Sequence, residues 1–174
     1  MKGAVVWFTG LPSSGKSYLA RRVRSRLDHD GKACCILDGD RVRALLRPIP
    51  GYSPSERDAF YQTLGGLAVE LAEQGLIVLV PATANRRAYR DQIRARTSHF
   101  IEVWMTAPLD ECRVRDAKGL YAHFSDGEVH GLPGEDLVYE APELAEVTAR
   151  GGEDDQALLR ILQCLSGPIA ARQA

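Results

Sequence analysis

Residues 4 to 17 read Ala4-Val5-Val6-Trp7-Phe8-Thr9-Gly10-Leu11-Pro12-Ser13-Ser14-Gly15-Lys16-Ser17. The first six form an apolar run of strand length. The last eight fill every fixed position of the phosphate-binding pattern GxxxxGK[ST]. Small residues at Gly10, Ser13, Ser14 and Gly15 let backbone N–H groups close around a polyphosphate such as that of ATP. Lys16 can reach the outer phosphates, and the Ser17 hydroxyl can sit on Mg²⁺. A helical pattern starts at Ser17, with Leu19, Ala20, Val23 and Leu27 recurring on one face. The positive end of that helix adds to phosphate binding.

The rest of the chain continues the alternation. Asp30-Gly31 ends the first helix. Residues 33 to 37 read as a second strand that stops at Asp38-Gly39-Asp40. Val42, Leu45 and Leu46 mark a short helix, broken by Pro48 and Pro50-Gly51. Ser53-Pro54-Ser55-Glu56 has the pattern of a capped helix start: Ser as cap, Pro in the first turn, Glu three residues on. That helix is expected to run to Glu73 and end at Gly75. Its interior Gly65-Gly66 costs about 1 kcal/mol per residue relative to Ala, which implies close packing on a neighbour. Residues 76 to 80 are continuously apolar, as in a strand buried on both faces. A basic helix over 86 to 96, a strand over 100 to 105 and a helix from Pro108 to Arg115 follow. Residues 116 to 140 are polar, rich in glycine and without periodicity; they are expected to form a lid without regular structure. Leu158, Leu159, Ile161 and Leu162 belong to a closing helix, with a frayed tail after Ser166.

This pattern predicts a three-layer α/β fold of the P-loop NTPase type, a mostly parallel sheet with helices on both faces. Ligands in such sheets sit at the carboxyl ends of the strands. The phosphate loop, residues 38 to 40 and residues 81 to 86 should therefore share one rim. The 174 residues suit a single domain, 1–174, with one core.

Bulk properties exclude more than they assign. With 22 basic and 23 acidic residues, the net charge of −1 gives no argument for nucleic acid or a membrane surface. The basic outer face of the first helix (Arg21, Arg22, Arg24, Arg26) reads as solvated. Cys34, Cys35, Cys112 and Cys164 lack CxxC spacing and read as reduced packing residues, with adjacent Cys34 and Cys35 pointing to opposite faces. The four histidines have no metal-ligand spacing. No leader-like segment precedes the first strand and no apolar run is of membrane-spanning length, so a cytoplasmic protein is expected.

Phosphoryl transfer requires a phosphate cradle, a metal, positive charge on the moving group and a positioned acceptor. Asp38 and Asp40 put two carboxylates beside the loop. One can hold Mg²⁺ through water, and the other can accept a hydrogen bond from an acceptor hydroxyl. Arg43, one helical turn beyond Asp40, can face the same cleft, and Arg57 follows the capped helix start. Arginine suits bidentate contact with phosphate- or sulfate-like groups.

Several stretches resemble the adenylylsulfate (APS) kinase family: Asp38-Gly39-Asp40-Arg41-Val42-Arg43, Gly51-Tyr52-Ser53-Pro54-Ser55-Glu56-Arg57-Asp58, Phe100-Ile101-Glu102-Val103, and Ala107-Pro108-Leu109 with Cys112. Arg115-Asp116-Ala117-Lys118-Gly119-Leu120-Tyr121 and Tyr139-Glu140-Ala141-Pro142-Glu143 extend the likeness over roughly residues 3 to 145. The resemblance implies transfer of the ATP γ-phosphate to the 3′-hydroxyl of adenosine 5′-phosphosulfate, and a homodimer. It implies that Asp40 faces the acceptor hydroxyl, that Arg43 and Arg57 bind the phosphosulfate, and that Tyr52 stacks on the acceptor base. Lys118 becomes a lid group close to both nucleotides. Tyr18 and Arg115 join the ATP side; Asp38, Phe60, Thr83 and Leu132 join the acceptor side. The chain departs from the family at Phe60, where Asn is usual, at Leu132, where Phe is usual, and at Thr83-Ala84-Asn85. These departures leave open a same-fold kinase of another small acceptor. A catalytically silent nucleotide-binding regulator is the third reading.

Overall fold

A computed structural model of the protein describes residues 3–167. β1 (Ala4–Thr9) leads through the phosphate loop into α1 (Lys16–His29), then β2 (Cys34–Ile36), α2 (Gly39–Leu45) and the long α3 (Pro54–Glu73). β3 (Ile77–Pro81), α4 (Arg87–Arg96), β4 (Phe100–Met105), α5 (Leu109–Arg115) and α6 (Leu120–Ser125) follow. β5 (Val147–Ala149) and α7 (Asp155–Ser166) complete the set. The expected fraying past Ser166 falls, beyond Gly167, outside the described residues.

All five strands are parallel, in the order β2-β3-β1-β4-β5. The central strand β1 is wholly buried, and its alternating side chains feed two cores. Val5 and Trp7 pack with Leu64, Ala68, Tyr89 and Ile93 of α3 and α4. Val6 and Phe8 pack with Leu19, Val23, Leu27 and Ile161 of α1 and α7 on the opposite face. The period-2 alternation of the strand thus produces the three layers. Cys35 joins the first core and Cys34 the second, as adjacent strand residues must.

Local signals explain most boundaries. Ser53 caps α3 with both halves of the capping box present: its Oγ accepts from the Glu56 amide (3.4 Å), and the Glu56 carboxylate accepts from the Ser53 amide (3.0 Å). The two interior glycines of α3 differ. A Cβ at Gly65 would lie 2.0 Å from Ile93 Cδ1, so α4 rests directly on the α3 backbone there. Gly66 has nothing within 4 Å of such a Cβ, so the expectation of close packing holds for one glycine only.

The 116–140 segment corrects the sequence reading. It contains α6, and a bridge pairs Pro133 with Leu137. Asp116 starts α6 by accepting from the Tyr121 and Ala122 amides, both at 3.0 Å. Asp136 closes the following turn by accepting from the Gly131 (2.8 Å) and Leu132 (2.7 Å) amides. Tyr121 and Leu132 bury beneath it with Ala107 and Cys112. Such short side-chain-capped elements leave no hydrophobic period to read.

Candidate active site

A cavity of about 1150 Å³ opens along the carboxyl ends of the strands. The phosphate loop, the Asp38-Gly39-Asp40 turn and residues 81 to 83 all reach its wall, as the parallel topology requires.

The phosphate loop closes on itself through unusual backbone angles: φ is 59° at Ser13 and 98° at Gly15. Gly15 caps α1, and the first residues of that helix, Lys16, Ser17 and Tyr18, line the cavity. The Oγ atoms of Ser13 and Ser14 are buried with no protein partner among the described residues. The Lys16 ammonium donates to the carbonyls of Gly10 (2.9 Å) and Leu11 (2.6 Å). Burial pulls its pKa down to about 8, partly opposed by the Asp40 carboxylate. Ser17 Oγ donates to Asp38 Oδ2 at 2.7 Å, while Asp38 Oδ1 caps α2 by accepting from the amides of Asp40 (3.1 Å) and Arg41 (3.4 Å). A hydroxyl and a carboxylate are therefore side by side at the foot of the loop. Asp40, two residues on, is ion-paired with Lys118.

The other half of the cavity is basic and aromatic. Arg43 and Arg57 are 6% and 7% exposed, yet neither forms an ion pair among the described residues. Arg43 Nη1 donates to the carbonyls of Pro50 (3.2 Å) and Gly51 (2.6 Å). Arg57 donates from Nε to the Tyr52 carbonyl (2.9 Å) and from Nη2 to the Gly131 carbonyl (2.7 Å). Tyr52, 58% exposed, stands beside both guanidiniums, at 4.5 Å from Arg43 and 5.1 Å from Arg57. Two buried cations without a carboxylate are costly unless an anion completes them.

Loop 82–85 is fixed from behind. Thr9 Oγ1 donates to the Thr83 carbonyl (2.6 Å) and meets Tyr139 Oη (3.1 Å). Burial raises the Tyr139 phenol to about 12. Ala84 adopts a left-handed φ of 43°, its amide donating to Tyr61 Oη at 3.0 Å. Arg90, 1% exposed, grips the Ala84 and Glu140 carbonyls and pairs with Glu102 at 2.6 Å.

Of the expected site residues, Ser13, Gly15, Lys16, Ser17, Tyr18 and Arg115 line the cavity on the loop side. Asp38, Asp40, Arg43, Tyr52, Arg57 and Phe60 line it on the other, with Thr83, Lys118 and Leu132. Gly10 and Ser14 do not reach the wall: Gly10 backs onto Met105, and Ser14 is wholly buried. Leu132 lies on the wall but is mostly buried in the small core under α6. The structure adds Gly151, Gly152 and Glu153, after β5, and Arg21 of α1. The first three follow a three-residue strand too short to show alternation. Their only signal was the Gly-Gly pair.

Comparisons with known proteins agree with this geometry. Residues 2–150 match the family described as adenylylsulphate kinase. The adenylyl-sulfate kinase of a Picosynechococcus species is 40% identical over 149 residues, covering 86% of this chain and 84% of the relative. The Escherichia coli K12 adenylyl-sulfate kinase is 39% identical over 166 residues, covering 94% and 81%. The structure of the Mycobacterium tuberculosis APS kinase in complex with AMPPNP and APS superposes with a TM-score of 0.88. It is 34% identical, with 95% of this chain and 99% of that one covered. A phosphate loop under the first helix, an unpaired arginine couple facing it and a family match across the whole sheet lead to one assignment: this chain belongs to the adenylylsulfate kinase family, with the P-loop NTPase fold.

Proposed function

We propose that this protein moves the γ-phosphoryl group of ATP to the 3′-hydroxyl of adenosine 5′-phosphosulfate, giving 3′-phosphoadenosine 5′-phosphosulfate and ADP. The observation that carries this is the shared cavity. A phosphate loop and two buried, carboxylate-free arginines open onto the same space, with Asp40 on its wall.

ATP would lie with its phosphates in the loop, Lys16 on the outer oxygens and the first amides of α1 behind them. Gly10 and Ser14 would shape the loop from behind. Tyr18 and Arg115 would flank the donor nucleoside, beside Gly151 and Gly152. Arg43 and Arg57 would bind the acceptor's phosphosulfate, with Tyr52 on the base and Thr83 and Leu132 shaping the pocket. In the transfer, the acceptor oxygen forms a bond to the γ-phosphorus as the bond to the β–γ bridging oxygen breaks. Asp40 orients the hydroxyl and accepts its proton. Lys118, already at Asp40, is placed to neutralise charge on the moving group.

The residues present suit Mg²⁺, which supplies charge neutralisation on the β- and γ-phosphates when bound. Ser17 Oγ would hold it, with Asp38 acting through water. Among the described residues no three His, Cys, Asp or Glu side chains could cage a metal. That fits a cation taking most of its ligands from phosphates and water.

We further place the protein in the cytoplasm, as a homodimer of a single 1–174 domain. Four free thiols support the compartment, and the family likeness supports the assembly. Among the described residues no helix is long and apolar enough to cross a membrane. Light scattering after size-exclusion chromatography tests the dimer. For the reaction, ADP release is measured with APS and with a panel of other nucleotides carrying a free 3′-hydroxyl. APS-dependent release is expected. Turnover of another acceptor with none of APS overturns the assignment.

A further inference from the structure

The chain holds its buried and half-buried arginines in two different ways. Arg90 and Arg94 are neutralised: Glu102 pairs with both, at 2.6 and 3.0 Å, and Glu146 also pairs with Arg94. Arg43 is buried too, at 6% exposed, but among the described residues it has no carboxylate partner. Glu56 lies near it, yet that carboxylate is turned to the Gly51 and Ser53 amides, each at 3.0 Å. Arg43 instead lies against π-faces. Its guanidinium carbon is 3.8 Å from the Phe60 ring centroid and 4.5 Å from that of Tyr52. Phe60 is 3% exposed and is itself braced edge-on by Tyr61, with ring centroids 5.2 Å apart.

We propose that Phe60 is a positioning residue for acceptor recognition, holding the Arg43 guanidinium by a cation–π contact so that its unspent charge faces the cavity. This rests on the reading of Arg43 as an acceptor ligand. The Pro50 and Gly51 carbonyls occupy Nη1. Two points on one nitrogen leave the guanidinium plane free to swing; a ring against its face stops that. A ring also stabilises the cation without cancelling it, since it carries a quadrupole and no net charge. A carboxylate in the same place would satisfy Arg43 internally, as Glu102 does for Arg90, and would repel an anionic acceptor. A hydrogen-bonding side chain would offer the acceptor a further polar contact, which Phe60 does not. Recognition of the acceptor anion therefore concentrates on Arg43 and Arg57, and the tuning of Arg43 falls to a ring that makes no hydrogen bond of its own.

The test is a graded series of fluorinated phenylalanines at position 60, together with Phe60→Leu. Fluorination drains the negative face of the ring with little change of shape, so packing is preserved while the cation–π contact fades. KM is measured for the acceptor and for ATP, using APS or, if the wild-type enzyme turns over another nucleotide of the panel instead, that nucleotide. The acceptor KM is expected to climb along the series, reaching about 2- to 30-fold at full fluorination and in Phe60→Leu. The ATP KM of the fluorinated forms should not move. An acceptor KM that stays flat across the series overturns the inference. So does a parallel rise of both KM values, which would make Phe60 a packing residue only. Failure of APS in the wild-type enzyme bears on the proposed substrate alone, because the ring series is then read on the acceptor that works.

Discussion

The Lys118 ammonium is ion-paired with the Asp40 carboxylate across 78 positions of chain. The contact joins the segment after α5 to the first turn of α2, on the wall of the cavity that the phosphate loop also lines. Both side chains are more than half exposed, so the pair adds little to stability. Its consequence is positional, and it leads to the first prediction. Asp40→Asn keeps the shape and removes the proposed proton acceptor, so kcat should fall by about 10²–10⁴-fold. Lys118→Met should lower kcat and leave nucleotide affinity nearly intact. Stopped-flow ADP release and a melting curve on each variant check this. A kcat within threefold of wild type for Asp40→Asn would remove Asp40 from the mechanism.

Lys16 gives a pH dependence with a definite sign. Burial lowers its pKa from 10.5 to about 8 in the folded chain. The unfolded chain therefore binds more protons between about pH 8 and 10.5, and this group adds stability as pH rises through that window. Nucleotide binding runs the other way, because phosphates need the ammonium. The dissociation constant for AMPPNP should rise about tenfold from pH 7 to pH 9, about fivefold of that between pH 8 and pH 9, and stay level below pH 7. Proton uptake on binding, measured by calorimetry in buffers of different ionisation enthalpy, should appear over the same range. Lys16→Arg should abolish the dependence, and Lys16→Ala should lower turnover by orders of magnitude.

Neighbouring glycines of α3 should respond oppositely to one substitution. Gly65→Ala places a Cβ 2.0 Å from Ile93 Cδ1 and should cost about 1–3 kcal/mol through overpacking. Gly66→Ala meets nothing within 4 Å and should gain about 0.5–1 kcal/mol from helix propensity. Urea denaturation of both variants decides it. Equal signs would mean that α4 does not sit on Gly65.

Removing Arg90 should be among the costliest single changes outside the cavity. It pairs with Glu102 in the core and grips two carbonyls behind the loop that presents Thr83. Arg90→Met leaves Glu102 with Arg94 alone and is expected to cost about 3–5 kcal/mol. Adding Glu102→Leu should recover part of that loss, because the stranded charge goes with it. Full additivity of the two changes would contradict the pairing.

These residues also show what the sequence could and could not reveal. β1, its loop, α1, the capping box of α3 and the span of β4 were legible, because each rests on local chemistry or a clear period. The fate of Arg90 was not. The helix carrying it reads as polar and basic, and only the position of Glu102 on β4 makes a buried partner. β5 was missed because three residues show no alternation. α6 was missed because Asp116 starts it through side-chain hydrogen bonds rather than an apolar stripe. The strand order, with β1 central, depends on long-range pairing that no local window contains. At the site, the motif positions were legible. The Gly151-Gly152-Glu153 wall was not, since it follows the missed strand.

Gly15 and Gly152 bear on how this enzyme can change over time. A Cβ at Gly15 would fall 2.5 Å from the Gly152 amide nitrogen, and one at Gly152 would press into the Tyr18 ring at 2.8 Å. At these two points the loop side of the cavity is packed without slack, Gly15 against the main chain of Gly152 and Gly152 against the Tyr18 side chain, so neither can take a new side chain. The opposite half is made of side chains on separate elements, and can be refitted one residue at a time. Diversification in a scaffold of this kind has one direction open to it: a fixed fuel port, with an exchangeable seat for whatever is to be phosphorylated.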